Sequence, residues 1–534
     1  MSSVRIRGAR LVVALTAFLV YAAVAGLNAG QASAGTWEDL AWMYQPSEIV
    51  DVHLTLTEDQ KALLDSDDPL RDWVGDVGFW MTGSGGRAFG SSDTPWRIEA
   101  KLKGHSTFRF LDGKAAFNLK FPSATRPDGL KRMTLNNMVK DPTYMRETLS
   151  YDVFRASGIP APRTGHARLW INDEYYGLYL NLEKWNDQSL EHWLPSTQHL
   201  YEAARTQDIL RSGDDLKTDF EVDEGDEEDW SDLESLSAAV RTGEWAVIQS
   251  HLADPEGAIK YLAAEWYLGH WDGYSWSRRN YYLHSDASGL FSFLPWGTDL
   301  TLRPPFRDNY DLFFPLTAAT DGWNRPDGAA AVVDACFADP ACSDEFIHQL
   351  QVVRQAAAGL DLEAAVADLT AELTPLIVTD PRKEVTMQFV QKWQAKTIPY
   401  LDAQASRAEE LLQTHPLTMH SPAIGAAPQA VTTATDATFE FGAGLDETQG
   451  VTGFQCRLDG GAFSACASPL AYSGLTAGEH SFEVRAVNDG NTPSPATTHA
   501  WTINPPQNTL SVIKVGDGSG TVSPDPEGPD YEVG

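Results

Sequence analysis

The chain has 534 residues, with 40 Lys+Arg against 74 Asp+Glu, a formal net charge of −34, and four cysteines. So acidic a surface argues against nucleic acid and anionic membranes as partners, since both repel it. The length exceeds what one ordinary domain folds around a single core.

Residues 1–34 read as a secretory signal. Arg5, Arg7 and Arg10 precede an apolar run from Leu11 to Ala25, and Ala32-Ser33-Ala34 offers small residues for cleavage before Gly35. The run is short and alanine-rich for a membrane span. Losing it removes three Arg and no acids, which takes the net charge from −34 to −37. The mature chain is therefore expected to be secreted or at the cell surface, without stable membrane insertion.

Residues 35–415 are expected to form one α+β body. Ile49 to Leu56 alternates as a strand does, and Thr57 then caps a helix with acids in its first turn. Trp96 to Lys103 and Ala116 to Phe121 alternate again. Thr143 to Ala156 has helical spacing, with Met145, Leu149, Val153 and Phe154 on one side; Gly158, Pro160 and Pro162 stop it. Ala167 to Glu183 reads as a hairpin turning at Asn172-Asp173.

The acids peak between Asp223 and Glu234, which lacks EF-hand spacing and reads as a solvated loop before a helix at Leu233 to Val240. Residues 258–270 read as an apolar helix. A second hairpin is expected about Asp286–Gly289, and residues 344–412 are mostly helical. Residues 416–433 shift to Pro, Ala and Thr and read as a linker. Residues 434–505 then alternate in short strands, as a small all-β sandwich would, and 506–534 read as a partial β repeat or tail.

The cysteines fall in two close pairs, Cys336/Cys342 and Cys456/Cys466. In an exported chain such pairs suggest local disulfides. Neither a Cys-x-x-Cys nor a nearby His pair favours zinc.

Two distant segments carry chemistry. Lys103 and Lys120 lie on strand-like sequence; Asp272, Asn280 and Asp299 follow one another across the second. Phosphoryl transfer from a nucleotide uses this inventory: lysine for phosphates, an Asp near the attacking hydroxyl, and Asn and Asp oxygens for a metal ion. The order Lys, Asp, Asn, Asp is also that of a protein kinase chain.

Several motifs in order resemble the CotH kinase family. Lys103-Gly104-His105-Ser106 with Phe117 to Phe121 is similar to its glycine element and lysine strand. Asp141 to Ile159 is similar to its helix beginning around an arginine, here Arg146. Trp170 to Tyr179 with Glu183 is similar to its hairpin. Asp272, Asn280 and Pro295-Trp296-Gly297-Thr298-Asp299 are similar to its catalytic and metal elements. The resemblance implies a divergent protein-kinase-like fold using ATP and Mg²⁺ or Mn²⁺ on an extracytoplasmic protein substrate.

In that scheme Lys120, with Lys103 as the weaker candidate, holds phosphates. Arg146 and Glu183 brace the lysine or the nucleotide, Asp272 acts on the hydroxyl, and Asn280 and Asp299 hold the metal. The family often has Pro-Trp-Asp-x-Asp, whereas here the first Asp is Gly297. That departure keeps open a catalytically silent adhesion protein. Adenylyl or glutamyl transfer on the same fold stays open too. The segment Phe454 to Gly461, with Cys466, resembles bacterial immunoglobulin-like modules.

Overall fold

The computed structural model describes residues 37–46, 48–66, 73–123, 130–203, 208–303, 330–414, 422–442, 451–488, 493–494, 496–505 and 515–516. The expected signal segment, and nearly all of the expected tail, lie outside these residues. Both helices and sheets are present, so the chain is α+β.

Eight strands form the first sheet: β1 (Ile49–Thr55), β2 (Val74–Thr82), β3 (Ala88–Phe89), β4 (Trp96–Lys103), β5 (Ala116–Lys120), β6 (Arg132–Asn136), β7 (Thr164–Ile171) and β8 (Glu174–Leu182). Their order is β1-β7-β8-β6-β5-β4-β2-β3. Strand β1 pairs in parallel with β7 and antiparallel with β2, so the sheet closes on itself with β3 added outside.

Period-two alternation decides which residues go inside. Val50, Val52, Leu54, Ile98, Ala100, Leu102, Phe117 and Leu119 fill the interior. Glu99, Lys101, Lys103, Asn118 and Lys120 therefore share the outer face of β4 and β5. The hairpin turn is where the sequence puts it: Asn172 and Asp173 have φ of 51° and 64°, as a two-residue primed turn requires. Thr57 and Gln60 form a reciprocal capping box on helix α1 (Glu58–Leu64).

The rest of the body is mainly helical. It contains α2 (Arg146–Ala156), α3 (Asp187–Trp193), α4 (Asp214–Asp219), α5 (Ser231–Val240), α6 (Trp245–Ile248), α7 (Pro255–Leu268), α8 (Tyr274–Ser277), α9 (Ala331–Ala338), α10 (Pro340–Ala358), α11 (Leu362–Thr379) and α12 (Met387–Thr414). A small sheet runs β10-β9-β11-β12, formed by β9 (His199–Ala203), β10 (Phe220–Glu224), β11 (Tyr281–Ser285) and β12 (Phe291–Pro295). Leu180 and Leu182 from the outer face of β8 join Tyr261, Leu262, Phe293 and Leu350 in one core. The first sheet is thus packed on the helical body along one side. Among the described residues no helix is long and apolar enough to cross a membrane.

The acidic run departs from a solvated loop. Asp226, Glu227 and Glu228 are exposed, but Asp223 and Glu224 end β10 and pair with Lys184, Arg132 and Lys131. Asp232 is buried, accepting from Tyr201 Oη at 2.7 Å and Ser285 Oγ at 2.5 Å, with His199 Nδ1 at 2.8 Å. Lys184, the partly buried Arg132 and Lys131, and buried hydroxyls hold these acids in place of water.

Both cysteine pairs are bonded. Cys336–Cys342 ties α9 to α10, with a Cα–Cα distance of 5.1 Å. The C-terminal strands are β13 (Ala423–Ala426), β14 (Val431–Thr432), β15 (Ala437–Gly442), β16 (Val451–Leu458), β17 (Ser464–Cys466), β18 (Leu470–Tyr472), β19 (Gly478–Asn488) and β20 (Thr497–Ile503). Cys456–Cys466 joins β16 to β17. Sheets β13-β15-β18 and β14-β20-β19-β16-β17 enclose Phe439, Phe482 and Trp501. Because β13 pairs with β15 and β14 with β20, the β region reaches back into the stretch expected to be linker.

A buried ion pair fastens the segment after α11 to the first sheet. Lys114 Nζ lies 2.6 Å from Asp380 Oδ2, with side-chain exposures of 1% and 0%. Asp380 also accepts from the backbone N–H of Leu178 at 3.2 Å and of Arg382 at 2.9 Å. Removing one member strands a buried charge, so Asp380→Ala is expected to cost about 3–5 kcal/mol in urea unfolding. Lys114→Met should cost less, because Asp380 keeps its two backbone donors.

Candidate active site

Three chain segments converge where the outer face of β4–β6 meets the helical body. The first is the end of β4. Lys103 is half-buried, and among the described residues its ammonium forms no ion pair; its ring neighbour is Trp296, at 5.8 Å. Burial pulls its pKa down, opposed by Glu147 and, more weakly, Glu202 and Asp299, while Lys184 adds to the fall.

The second segment is the start of α2. Asp141 builds it: Oδ1 accepts from Thr143 N at 2.8 Å and Thr143 Oγ1 at 2.6 Å, and Oδ2 accepts from Arg146 N at 2.8 Å. Arg146 is fully buried. Its Nη1 reaches the backbone oxygen of Asp299 at 3.5 Å, and its guanidinium lies 5.3 Å from the Trp393 ring. Its Nε and Nη2 have no hydrogen-bond acceptor among the described residues. Burial lowers its pKa against the pull of Asp141 and Asp299.

Glu147 follows. Its Oε2 accepts from Asn136 Nδ2 on β6 at 2.6 Å, while Oε1 has no donor. Burial, then Asp299, push its pKa well up. Neither Glu147 nor Asp141 is among the candidate site residues that the motifs point to. The signal available for both was their position flanking Arg146 at the start of an apolar-faced helix.

The third segment comprises two loops of the helical body. Helix α7 ends at Gly269, left-handed at φ 64°, and the chain then turns through Asp272. Glu265 organises this turn: it accepts from Tyr261 Oη at 2.9 Å, Tyr274 N at 2.9 Å, Ser275 N at 2.8 Å and Ser275 Oγ at 2.5 Å. A Cβ at Gly273 would collide with Glu265 and His270, so glycine is required there. Asn280 Nδ2 donates to Asp272 O at 2.9 Å and to Asp272 Oδ2 at 3.0 Å, which fixes both side chains. Asp299 lies on a short 3₁₀ turn after β12, tied to α2 by a 2.7 Å bond between the Ser150 and Thr301 hydroxyls.

Burial raises both carboxyls. Asp272 rises against His270, Arg279, Asn280 and Arg303. Asp299 rises to about 6 through burial and then the charges of Asp272 and Asp141, against Lys103 and His270.

Asp272, Asn280, Asp299, Arg146 and Lys103 are therefore brought together. Lys120 and Glu183 are not. Lys120 shares the outer face but sits opposite Glu99, four residues and roughly 13 Å along β4 from Lys103. There it pairs with Glu99 at 3.0 Å, half-exposed. Glu183 is held by Arg163, with Oε1 at 2.6 Å from Nη2, and Arg163 packs on Tyr44. Gly297 has φ 53°, and a Cβ there would lie 2.7 Å from Asn280 Oδ1. An Asp at 297 would displace Asn280 rather than simply add a carboxylate.

The chain belongs to the CotH kinase protein family, whose model matches residues 100–411. It is similar to inner spore coat protein H of Bacillus subtilis (strain 168), with 26% identity over 200 residues covering 35% of this chain and 54% of that protein. The match thus spans about half the length of that relative. Among solved structures, a human fibronectin type III domain from protein KIAA0970 matches 21% of this chain and 95% of its own at 14% identity, with a TM-score of 0.14.

The raised Asp299 value predicts a pH effect. The folded chain holds this proton more tightly than the unfolded chain does, so the contribution favours folding at low pH and is lost as pH rises from about 4 to about 6. Asp299→Asn removes the penalty. It is expected to stabilise the ligand-free protein by about 1–3 kcal/mol at pH 7.5 and by nothing at pH 4, read by thermal unfolding at both.

Proposed function

We propose that this chain is an exported, metal-dependent, kinase-like enzyme with a divergent protein-kinase-like fold. It moves the γ-phosphoryl group of ATP onto a Ser, Thr or Tyr hydroxyl of an extracytoplasmic protein. The observation that carries this reading is the pairing of unsatisfied cations with the acid loop. In a chain of net charge −34, Lys103 forms no ion pair among the described residues, and Arg146, whose Nε lies 3.6 Å from Asp141 Oδ1, keeps Nε and Nη2 without a hydrogen-bond acceptor, at the spot where Asp272, Asn280 and Asp299 meet. Such cations fit phosphate oxygens.

The oxygen donors of Asp299 and Asn280 suit Mg²⁺ or Mn²⁺, which when bound neutralises charge on the phosphates. Among the described residues no three His, Cys, Asp or Glu side chains form a ready cage. That fits a cation held by one or two carboxylates and completed by phosphate. Asp272, with its carboxylate oriented by Asn280 and its pKa raised by burial, accepts the hydroxyl proton as the oxygen–phosphorus bond forms and the bond to the leaving diphosphate breaks. Export is supported by the leader sequence and the two disulfides; a spore-coat relative fits the same compartment.

A second reading, a silent surface protein, is favoured by one observation: Gly297 withholds the family's first aspartate. Intact-mass spectra after incubation with ATP, Mn²⁺ and an acceptor protein separate the two. A phosphoryl-sized increment is expected, absent in Asp272→Ala and Asp299→Ala. Lys103→Ala should slow it by about 10²-fold or more, whereas Lys120→Ala should stay within about twofold, as an exposed ion pair warrants. An adenylyl- or glutamyl-sized increment would replace the proposed reaction. No increment and no nucleotide binding would favour the silent reading.

A further inference from the structure

We propose that Glu147 is a ligand of the divalent cation, sharing it with Asp299 and supplying from α2 the second carboxylate that Gly297 cannot. The inference rests on the functional reading above and goes beyond it by naming a site residue from a different element. Three observations support it. Position 297 carries no carboxylate, and a Cβ there would press on Asn280 Oδ1 at 2.7 Å. Glu147 is 2% exposed, and Asn136 holds one of its oxygens at 2.6 Å, leaving Oε1 without any donor.

The charged groups that act on Glu147 are Asp299, Lys103 and Asp141, and among the described residues Lys103 forms no ion pair, its ammonium lying over the Trp296 ring instead. A buried carboxylate oxygen with neither donor nor counterion is costly. A cation between Glu147 and Asp299 removes the cost and the repulsion together. Two carboxylates from separate elements, with an amide oxygen and phosphate oxygens, complete a set of hard oxygen ligands.

The test is Mn²⁺ binding, followed by electron paramagnetic resonance and calorimetry, with Mn²⁺ alone and with a non-hydrolysable ATP analogue. The full chain is compared with Glu147→Gln, Asp299→Asn and Lys120→Ala. Glu147→Gln keeps an oxygen for Asn136, so its melting temperature should hold or rise. Its Mn²⁺ affinity should fall at least about tenfold, as for Asp299→Asn, with Lys120→Ala unchanged. Should Glu147→Gln fail to fold, Glu147→Asp, which shortens the reach, should show the same loss.

Wild-type affinity in a folded Glu147 variant, alongside a loss in Asp299→Asn, would overturn the inference and leave the functional reading standing. Absence of Mn²⁺ binding by the wild-type chain, with or without nucleotide, would overturn both.

Discussion

The carboxylate of Asp141 is the interaction on which the site depends. A helix start leaves backbone N–H groups without partners, and Met145, at the N-cap of α2, offers no side chain to meet them. Asp141 does so from outside the helix, taking Arg146 N with one oxygen and Thr143 with the other. Everything on the first turns of α2 follows from that placement. Arg146 reaches the backbone of Asp299, Glu147 reaches Asn136 on β6, and Ser150 reaches Thr301. One helix end therefore joins the first sheet to the turn carrying Asp299.

Glu265 plays a comparable part below Asp272. Its carboxylate is buried, yet four donors surround it, two of them backbone N–H groups at the start of α8. A carboxylate there also favours the positive end of that short helix turn. The close approach of Glu265 and His270 leaves no volume at Gly273, so the loop has one shape and Asp272 one direction. Asn280, itself left-handed at φ 50°, closes the loop from the other side.

How much of this the sequence discloses depends on the range of the interaction. The strands β1, β4 and β5, the capping box at Thr57 and the Asn172-Asp173 turn are local matters, and alternation or turn chemistry reveals them. The motif order likewise brings Asp272, Asn280 and Asp299 to one place. The choice between Lys103 and Lys120 is different. Both leave the sheet on the same face, and only the register Glu99↔Lys120 and Lys103↔Ala116 shows which one lies near the acids. Glu183 is equally opaque, since its partner Arg163 is twenty residues away on the preceding turn. The acidic run misleads for a related reason: an acid reads as solvated until the cation that buries it is known, and Lys184 and Arg132 come from other elements.

Those same cations bear on how the two parts of the body meet. Lys131 contacts Asp187 and Glu224, Arg132 contacts Asp223, and Lys184 contacts Glu202 and Asp223, all near the seam between β6 and β10. Burial alone would lower the pKa of Lys184, but Asp223 and Glu202 outweigh it and leave the value raised, so this lysine is committed to its acids. Lys103 is the contrast. It lies within the influence of Glu147, Glu202 and Asp299, yet its ammonium pairs with none of them, and its value is lowered. Arg146 shows a milder form of the same separation: its Nε lies 3.6 Å from Asp141 Oδ1, within ion-pair range, yet neither Nε nor Nη2 makes a hydrogen bond among the described residues, so its buried charge is only partly met.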